Sequence, residues 1–164
     1  MKNPIIQTKR LGHEKLLKSM SLGKNHKIIG IVILKDKNIL KLLIEWMKTL
    51  SINCIILWEG NNTENILYVS HIDEDMLIWS DFLIADRDTS DLEKYMKSWI
   101  VPIISKNSYL SSLLSEFNPI KNEGNAFLYE QDSVWQIFYA LCRYLENSKF
   151  SFDNQNLINN VAKI

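Results

Sequence analysis

The sequence predicts an α/β protein: a single doubly wound parallel sheet of about six strands with helices on both faces. Short apolar runs rich in β-branched residues are typical of strands that are buried on both faces of a sheet. Segments with apolar residues at helical spacing separate these runs. Strands that alternate with helices make βαβ units, which pair their strands in parallel. A chain of 164 residues, 46% of them hydrophobic, is long enough for one domain with a substantial core.

The first half of the chain supplies three of the strands. The runs KIIGIVIL and INCIILW are continuous and apolar, whereas ILYVS is shorter. Between the first two runs, apolar residues recur on one helical face from Ile39 to Leu50, and both Leu42 and Trp46 belong to that face. The predicted elements are a helix over 5–22, a strand over 27–34, a helix from 36, and strands over 52–58 and 66–70.

The second half supplies three further strands. Pro102 lies inside one of them, which is awkward in a sheet because proline removes a donor from the ladder. Thr89 or Ser90 is expected to cap one helix, and Trp135 to pack on or near the core face of the last long helix. The predicted elements are a helix over 73–80, strands over 81–85, 100–105 and 126–129, helices over 89–99 and 108–117, a helix through Val134 and Leu145, and one more helix in the tail.

We expect one domain over residues 1–164. Within it, residues 1–26 form a leading helix and linker, 27–146 the α/β core and 147–164 a closing tail. Met1 directly precedes the leading helix, which favours a short complete gene product.

Charge and cysteine content limit the classes of function that are open to this protein. Lysine plus arginine equals aspartate plus glutamate, at 19 each, so no global field draws the chain to nucleic acid or to an anionic membrane. No apolar run approaches the roughly 20 residues of a membrane span. Cys54 and Cys142 are far apart in apolar runs and read as buried thiols of a cytoplasmic protein. The three histidines are scattered, so no metal site and no cofactor are predicted.

Ligands of doubly wound sheets bind beyond the carboxyl ends of the strands, where the strand order reverses. We call this part of the molecule the carboxyl edge. The sequence places four segments there: residues 35–38, 58–61, 86–89 and 105–108.

The order of the segments resembles the C-terminal half of bacterial glycogen and starch synthases, which is one half of the GT-B glycosyltransferase fold. The phrases that carry the resemblance run in sequence: TKRLGHEKLLKSMSLGKNHKIIGIV, DKNILKLLIEWMKTLSINCIILWEG, NILYVSHIDEDMLIWSDFLIADRD, LEKYMKSWIVPIIS, EGNAFLYEQDSVWQIFYALCRYL and NQNLINNVAKI. Together they cover roughly residues 8–162. The resemblance implies a Rossmann-like domain that binds a nucleotide sugar, with an ADP- or UDP-linked hexose as the ligand.

The same resemblance implies that much of the transfer chemistry is missing. Departure of a nucleoside diphosphate needs cations. The family's arginine falls on or near Leu34, and its lysine on Lys37 or, less well, on Lys35. The family's two glutamates fall in the stretch ADRDTSDLEKYMKSW. This stretch is shorter than in the family, and its acidic residues do not have the expected spacing. Where the family has a glycine-rich loop, this chain has Ser105, Lys106, Asn107 and Ser108. These residues would either cap a helix or bind an anion. Trp58, at the end of a strand, is the one tryptophan considered for a ligand.

Three hypotheses follow. The first is a degenerate glycosyltransferase domain with no catalytic residues of its own, which retains weak nucleotide or sugar-phosphate binding or serves as an interaction module. The second is one subunit of a split hexosyltransferase, completed by a separate acceptor domain. The third, a flavodoxin- or receiver-like signalling domain, needs an acidic cluster at the carboxyl end of the first strand, where the sequence around Lys35 offers only Asp36.

Overall fold

The computed structural model describes residues 4–20, 22–23, 27–86, 89, 92–110 and 112–164. This part of the chain forms one parallel sheet of six strands, in the order β3-β2-β1-β4-β5-β6. The strands are β1 (Ile29–Ile33), β2 (Asn53–Leu57), β3 (Ile66–Val69), β4 (Phe82–Ala85), β5 (Val101–Ser105) and β6 (Phe127–Tyr129). The strand order reverses between β1 and β4, and the predicted fold class is confirmed.

Helices cover both faces of the sheet. They are α1 (Pro4–Ser19), α2 (Lys37–Met47), α3 (Glu74–Trp79), α4 (Leu92–Met96), α5 (Val134–Ser148) and α6 (Ser151–Val161). One core layer contains buried side chains of α2, α5 and α6, and the other contains buried side chains of α1, α3 and α4. Strand residues alternate between these layers: Val32 belongs to the first, and Ile31 and Ile33 belong to the second. None of the described helices has the length and apolar character that a membrane crossing requires.

Gly30 has no side chain and so leaves room for the ring of Phe82 where the central strands β1 and β4 pair. Gly30 on β1 pairs with Phe82 on β4. A Cβ atom on Gly30 would lie 2.0 Å from Cζ of Phe82. Phe82 is fully buried, and its ring lies 5.3 Å from that of Tyr144 on α5. The glycine is therefore needed for close approach at the centre of the sheet.

Strand β6 would leave one edge of the sheet open, but polar side chains cover it. Glu116 bridges to Ala126, and its carboxylate accepts a hydrogen bond of 2.7 Å from the amide of Leu128. The guanidinium of Arg143 on α5 pairs with Glu116 and donates to the carbonyl of Leu128 at 2.8 Å. The edge strand therefore has local partners for its backbone groups, as native sheets generally require.

The predicted helix over 108–117 is wrong. The described residues of this segment form turns and then an extended stretch. The Ser108 hydroxyl accepts from the amide of Leu110, and the Asn125 side chain accepts from the amide of Ser115. Side chains of this kind compete with the helix for backbone groups.

Other element predictions change in detail. The helix predicted over 89–99 begins only at Leu92, and Ser90 lies outside the described residues. Thr89 does not precede it as a cap but donates to the carboxylate of Asp86. Leu42 and Trp135, both expected on core faces, are 51% and 72% exposed. Trp135 packs instead against the half-buried Trp46, with ring centroids 4.6 Å apart.

Pro102 fits its strand because one side of the strand is free of pairing at that point. The amide of Val101 donates to Asp81 on the β4 side. Successive backbone nitrogens of a strand face opposite sides, so the nitrogen of Pro102 faces β6. The pairing of β6 with β5 begins only at Ile103. The missing donor therefore removes no hydrogen bond from the ladder.

Lys9 fastens α1 to the end of α3. This side chain is only 4% exposed, and its ammonium donates to the carbonyl of Ser80 and, at 3.2 Å, to that of Ile78. Burial lowers the pKa of Lys9 from its ordinary 10.5 to about 8, although nearby Asp81 opposes the shift. His13 on the same helix lies 3.1 Å from Asp81. A titratable group thus holds the N-terminal helix in place.

Replacing Gly30 with alanine tests the contact with Phe82. We expect Gly30→Ala to lower the free energy of unfolding by about 1–3 kcal/mol, because overpacking a rigid core forces rings from their positions. Urea denaturation measures the change. Gly60→Ala is the matched control: its added Cβ would meet only the side chain of the half-buried Tyr68, so a smaller loss is expected. Equal losses at both positions would contradict this account.

The buried Lys9 predicts an unusual pH dependence. Between about pH 8 and pH 10 the unfolded chain keeps a proton that folded Lys9 gives up, so the contribution of Lys9 to the free energy of unfolding should rise with pH in this window, whereas buried Cys54 and Tyr144, whose pKa values are raised, contribute in the opposite direction. The slope approaches at most about 1.4 kcal/mol per pH unit. Denaturation of the wild type and of Lys9→Met across the window measures it. The free energy of unfolding of the wild type minus that of the variant should rise with pH, and a difference that stays constant across the window would rule out Lys9 as its source.

Candidate functional site

The candidate site lies at the carboxyl edge where β1 and β4 are neighbours. The loop from β1 into α2 and the segment after β4 meet there, and the start of α5 adjoins them. A cavity of about 310 Å³ opens between these segments. Leu34, Lys35, Asp36, Ile39, Asp86, Asp132 and Ile137 line it. Doubly wound proteins bind ligands at this position.

Asp86 ties the two central loops together. Its carboxylate accepts a hydrogen bond of 2.6 Å from the amide of Lys35 and one of 2.9 Å from the hydroxyl of Thr89. Thr89 is buried, and its hydroxyl also lies 3.5 Å from the carbonyl of Ile33 at the end of β1. The amide that follows β1 therefore points at a carboxylate of the chain itself.

Asp36 occupies the amino terminus of α2. Its side chain accepts from the amides of Asn38 at 2.8 Å and Ile39 at 3.1 Å, which makes it the N-cap of the helix. Free amides at a helix amino terminus are a favourable place for a phosphate group. Here a carboxylate of the protein accepts two of them.

Three carboxylates and one ammonium group therefore line this cavity: Asp36, Asp86, Asp132 and Lys35. Burial raises the pKa of Tyr129, and the charges of Asp132 and Asp86 raise it further. Its protonated hydroxyl donates to the carbonyl of Ala85 at 2.7 Å. The site is acidic on balance, which disfavours an anionic ligand. Among the described residues, no three His, Cys, Asp or Glu side chains are placed to hold a metal ion.

Two of the predicted site residues come together. The ammonium of Lys37, at the start of α2, lies 5.0 Å from the ring centroid of Trp58, which follows β2. Trp58 is 36% exposed and borders a second opening of about 390 Å³, with Glu59 and Ser70. A cation over an indole face is a favourable contact. Whether this pair meets a ligand stays a prediction.

The residues after β5 are engaged within their own loop. The hydroxyl of Ser105 accepts from the amide of Asn107 at 3.2 Å, and both Ser105 and Ser108 are buried. Lys106 pairs with Glu130 at 2.7 Å, and this hydrogen bond lowers the pKa of Glu130. The side-chain amide of Asn107 donates to the carbonyl of Glu130 at 3.3 Å. Each of these groups already has a partner in the chain, and their predicted anion-binding role is not tested.

Sequence reasoning found the carboxyl edge but missed the acidic character of its centre. Asp86 comes directly after β4, and Lys35 comes shortly after β1. The position at the end of a strand, which located Lys35, was therefore also a signal for Asp86. Asp132 gives no such signal, because it lies in the turn before α5 and reads as an ordinary surface acid. Only the fold brings it to the cavity shared by Asp36 and Asp86.

The strand order and the position of this site define a Rossmann-like α/β domain. No family model matches the sequence, and no curated protein matches it. Solved structures do match. The catalytic domain of starch synthase IV from Arabidopsis thaliana, bound to ADP and acarbose, aligns with a TM-score of 0.79 at 14% identity. That match covers 99% of this chain and 42% of the other, so this chain spans less than half of the starch synthase chain.

A second match is the C-terminal CMP-Kdo binding domain of WaaA from Acinetobacter baumannii. It aligns with a TM-score of 0.58 at 12% identity and covers 96% of this chain and 97% of the other. Both similar proteins are GT-B glycosyltransferases. The chain therefore has the fold of a GT-B domain, and the resemblance seen in the sequence is confirmed at the level of fold.

Substitution of Asp36 tests the cap at the site. We expect Asp36→Ala to lower the free energy of unfolding by about 0.5–2 kcal/mol, because two amides lose their acceptor. Asp36→Asn should retain most of the stability, since asparagine caps nearly as well. Thermal denaturation of the three proteins makes the comparison. If the asparagine variant were as unstable as the alanine variant, the negative charge rather than the cap would be the stabilising feature.

Proposed function

We propose that this chain is a degenerate GT-B domain that does not transfer sugar by itself and that acts by binding a partner protein. The single observation that carries the proposal is the set of carboxylates at the centre of the carboxyl edge. A departing nucleoside diphosphate needs positive charge around it. Asp36, Asp86 and Asp132 present the opposite charge where β1 and β4 end.

The missing cations support the same proposal. The position that resembles the family's arginine is Leu34, which is 4% exposed. Lys37, at the position that resembles its lysine, packs over Trp58. The chain also spans less than half of the starch synthase chain that it matches. A transferase closes two domains around donor and acceptor, so a single domain lacks the second wall of such a site.

Nucleotide binding, if retained, would use the Lys37 and Trp58 pair rather than the acidic cavity. The similar proteins were solved with ADP or are named for CMP-Kdo binding. An indole ring can stack on a base and an ammonium can meet a phosphate, so this pair is the best-placed group for residual affinity.

A split hexosyltransferase requires an acceptor domain that docks on the carboxyl edge. Such docking needs an exposed apolar surface there. Trp58 and Tyr109 are exposed near this edge, at 36% and 57%. Between them lie exposed charged side chains such as Lys35, Lys106 and Glu130. This mixed, charged edge favours the degenerate domain over the split enzyme.

Titration calorimetry with ADP, UDP and their glucose conjugates tests the proposal. We expect no saturable binding by the wild type below millimolar ligand. Asp132→Asn removes one negative charge from the cavity and should raise the affinity for ADP by about fivefold, because a charge a few Å away is worth about 1 kcal/mol in a water-like dielectric. Lys37→Ala serves as the matched variant that removes a positive charge instead.

Transfer is checked with the same protein. Incubation with radiolabelled ADP-glucose or UDP-glucose and glycogen should give no labelled polymer. Sub-millimolar ADP binding that Lys37→Ala abolishes and Asp132→Asn leaves unchanged would contradict the exclusion by carboxylates. Labelled product from the isolated chain would overturn the non-catalytic assignment outright.

A further inference from the structure

Helix α5 is apolar on its outer face as well as on the face that packs against the sheet. Four of its residues are buried in the core: Ile137, Ala140, Leu141 and Tyr144. On the opposite side, Trp135, Tyr139 and Cys142 follow one another at helical spacing. Trp135 and Tyr139 are 72% and 65% exposed, and Cys142 is half-buried. The helix therefore presents a second apolar stripe on the surface of the molecule.

A groove of about 760 Å³ runs beside this stripe, at the edge of the sheet. Residues 116–119 form one side of it, and α5 with the start of α6 forms the other. Tyr139 and Phe150 lie at its rim. Arg143 lies within it, and its guanidinium is 5.1 Å from the ring centroid of Tyr139. The surface thus combines a hollow with the protruding ring of Trp135, one helical turn before Tyr139.

Neighbouring elements extend this exposed apolar surface, which we call the α5 face. α5 contacts both α2 and α6. On α2, Trp46 packs against Trp135, and Leu42 lies one helical turn before Trp46. The turn after residues 116–119 adds Ile120. The large side chains of the α5 face that are more than half exposed are Leu42, Ile120, Trp135, Tyr139, Phe150 and Phe152. Monomeric proteins rarely expose a contiguous apolar surface of this extent, and those that do generally use it in binding.

The exposed apolar area matches what a stable dimer buries. A large aromatic side chain buries about 150–250 Å² when it is covered, so the four aromatic rings of the α5 face, each about two-thirds exposed, offer on the order of 500 Å². One partner in an interface of standard size buries about 800 Å², and about 65% of that area is apolar in homodimers. Transient interfaces between different proteins are less apolar. The extent and the apolar character of the face therefore favour a homodimer.

The charges of the α5 face largely cancel within the molecule. Three acidic side chains are paired with basic ones: Glu45 with Lys48, Glu116 with Arg143, and Glu146 with Lys149. Among the described residues, Asp153 is the one other charged residue that lines the groove. A symmetric contact brings a face against its own copy, so a face with a large net charge would repel itself. The paired charges remove this obstacle, and they offer little attraction to a strongly acidic or basic partner.

An antiparallel contact between two α5 helices fits the order of these features along the helix. With a two-fold axis near Tyr139, residues at equal distances before and after Tyr139 face each other. Trp135, four residues before it, then faces Arg143 of the second copy, four residues after it. The protruding ring of each copy thus meets the groove of the other. The same contact is made twice, as an isologous interface requires.

We propose that the α5 face is the interface of a homodimer. Two α5 helices cross in antiparallel orientation with Tyr139 near the two-fold axis, and Trp135 of each copy inserts into the groove of the other beside Arg143. The proposal goes beyond the function proposed above, because it does not depend on whether the carboxyl edge binds a nucleotide.

Sedimentation equilibrium of the full chain tests the proposal. We expect a monomer–dimer equilibrium with a dissociation constant in the micromolar range or tighter, as interfaces of this size have. Tyr139→Glu places two like charges next to the two-fold axis and should weaken the dimer by at least about tenfold. Tyr109→Glu makes the same change at a similarly exposed tyrosine near the carboxyl edge and should leave the dimer unchanged. Circular dichroism shows whether each variant is folded.

Two further measurements check the arrangement of the helices. Trp135→Ala should also weaken the dimer by at least about tenfold, as loss of a tryptophan anchor does at protein interfaces. Isotope-filtered NMR of a mixture of labelled and unlabelled copies should show contacts between the indole of Trp135 in one copy and the side chain of Arg143 in the other.

Several outcomes would overturn the proposal. A chain that stays monomeric at high micromolar concentration would leave the α5 face to a different kind of partner. A dimer that Tyr109→Glu dissociates and Tyr139→Glu does not would use another face. Intermolecular contacts between the two Trp135 rings would contradict the antiparallel arrangement. None of these results depends on ADP binding, so this proposal and the proposed function fail separately.

Discussion

The packing of Phe82 over Gly30 is the constraint around which the rest of the molecule is arranged. It joins the two strands where the sheet order reverses, and it begins a row of aromatic rings. Phe82 contacts Tyr144, Tyr144 lies 5.8 Å from Phe127, and Phe127 lies 6.3 Å from Phe117. The row runs from the centre of the sheet to its edge, so the edge strand shares one continuous core with the central strands.

Two regions of the molecule differ in how the chain treats its own polar groups. At the carboxyl edge, carboxylates of Asp36 and Asp86 accept from backbone amides of the chain itself. At the sheet edge, Nε of Arg143 and Nδ2 of Asn147 are buried and have no acceptor within the described part of the chain. Satisfied groups stabilise a closed loop, whereas unsatisfied ones raise the free energy of the unbound state. The carboxyl edge therefore stabilises the fold, whereas the sheet edge contains buried donors that cost stability.

The sequence predicted the strands well because their signal is local. Runs such as KIIGIVIL are apolar without interruption, and only a strand buried on both faces gives that pattern at that length. The helix predicted over 108–117 was wrong because side chains take its backbone amides: Ser108 accepts from the amide of Leu110, and Asn125, ten residues away, accepts from that of Ser115. The site could be predicted only in part. Asp132, for example, lies in the turn before α5 and reaches the cavity of Asp36 and Asp86 only in the folded chain.

The position of Asp86 limits the substitutions that this edge of the sheet can accept. An arginine introduced at Leu34 would meet Asp86 and form an internal ion pair before it could meet a phosphate. Loss of Asp86 first would release the Lys35 amide and the Thr89 hydroxyl and loosen both loops. Each of these two substitutions is therefore unfavourable until the other has occurred. A carboxylate that serves the fold thus couples the two positions, so a change at either one alone is unfavourable.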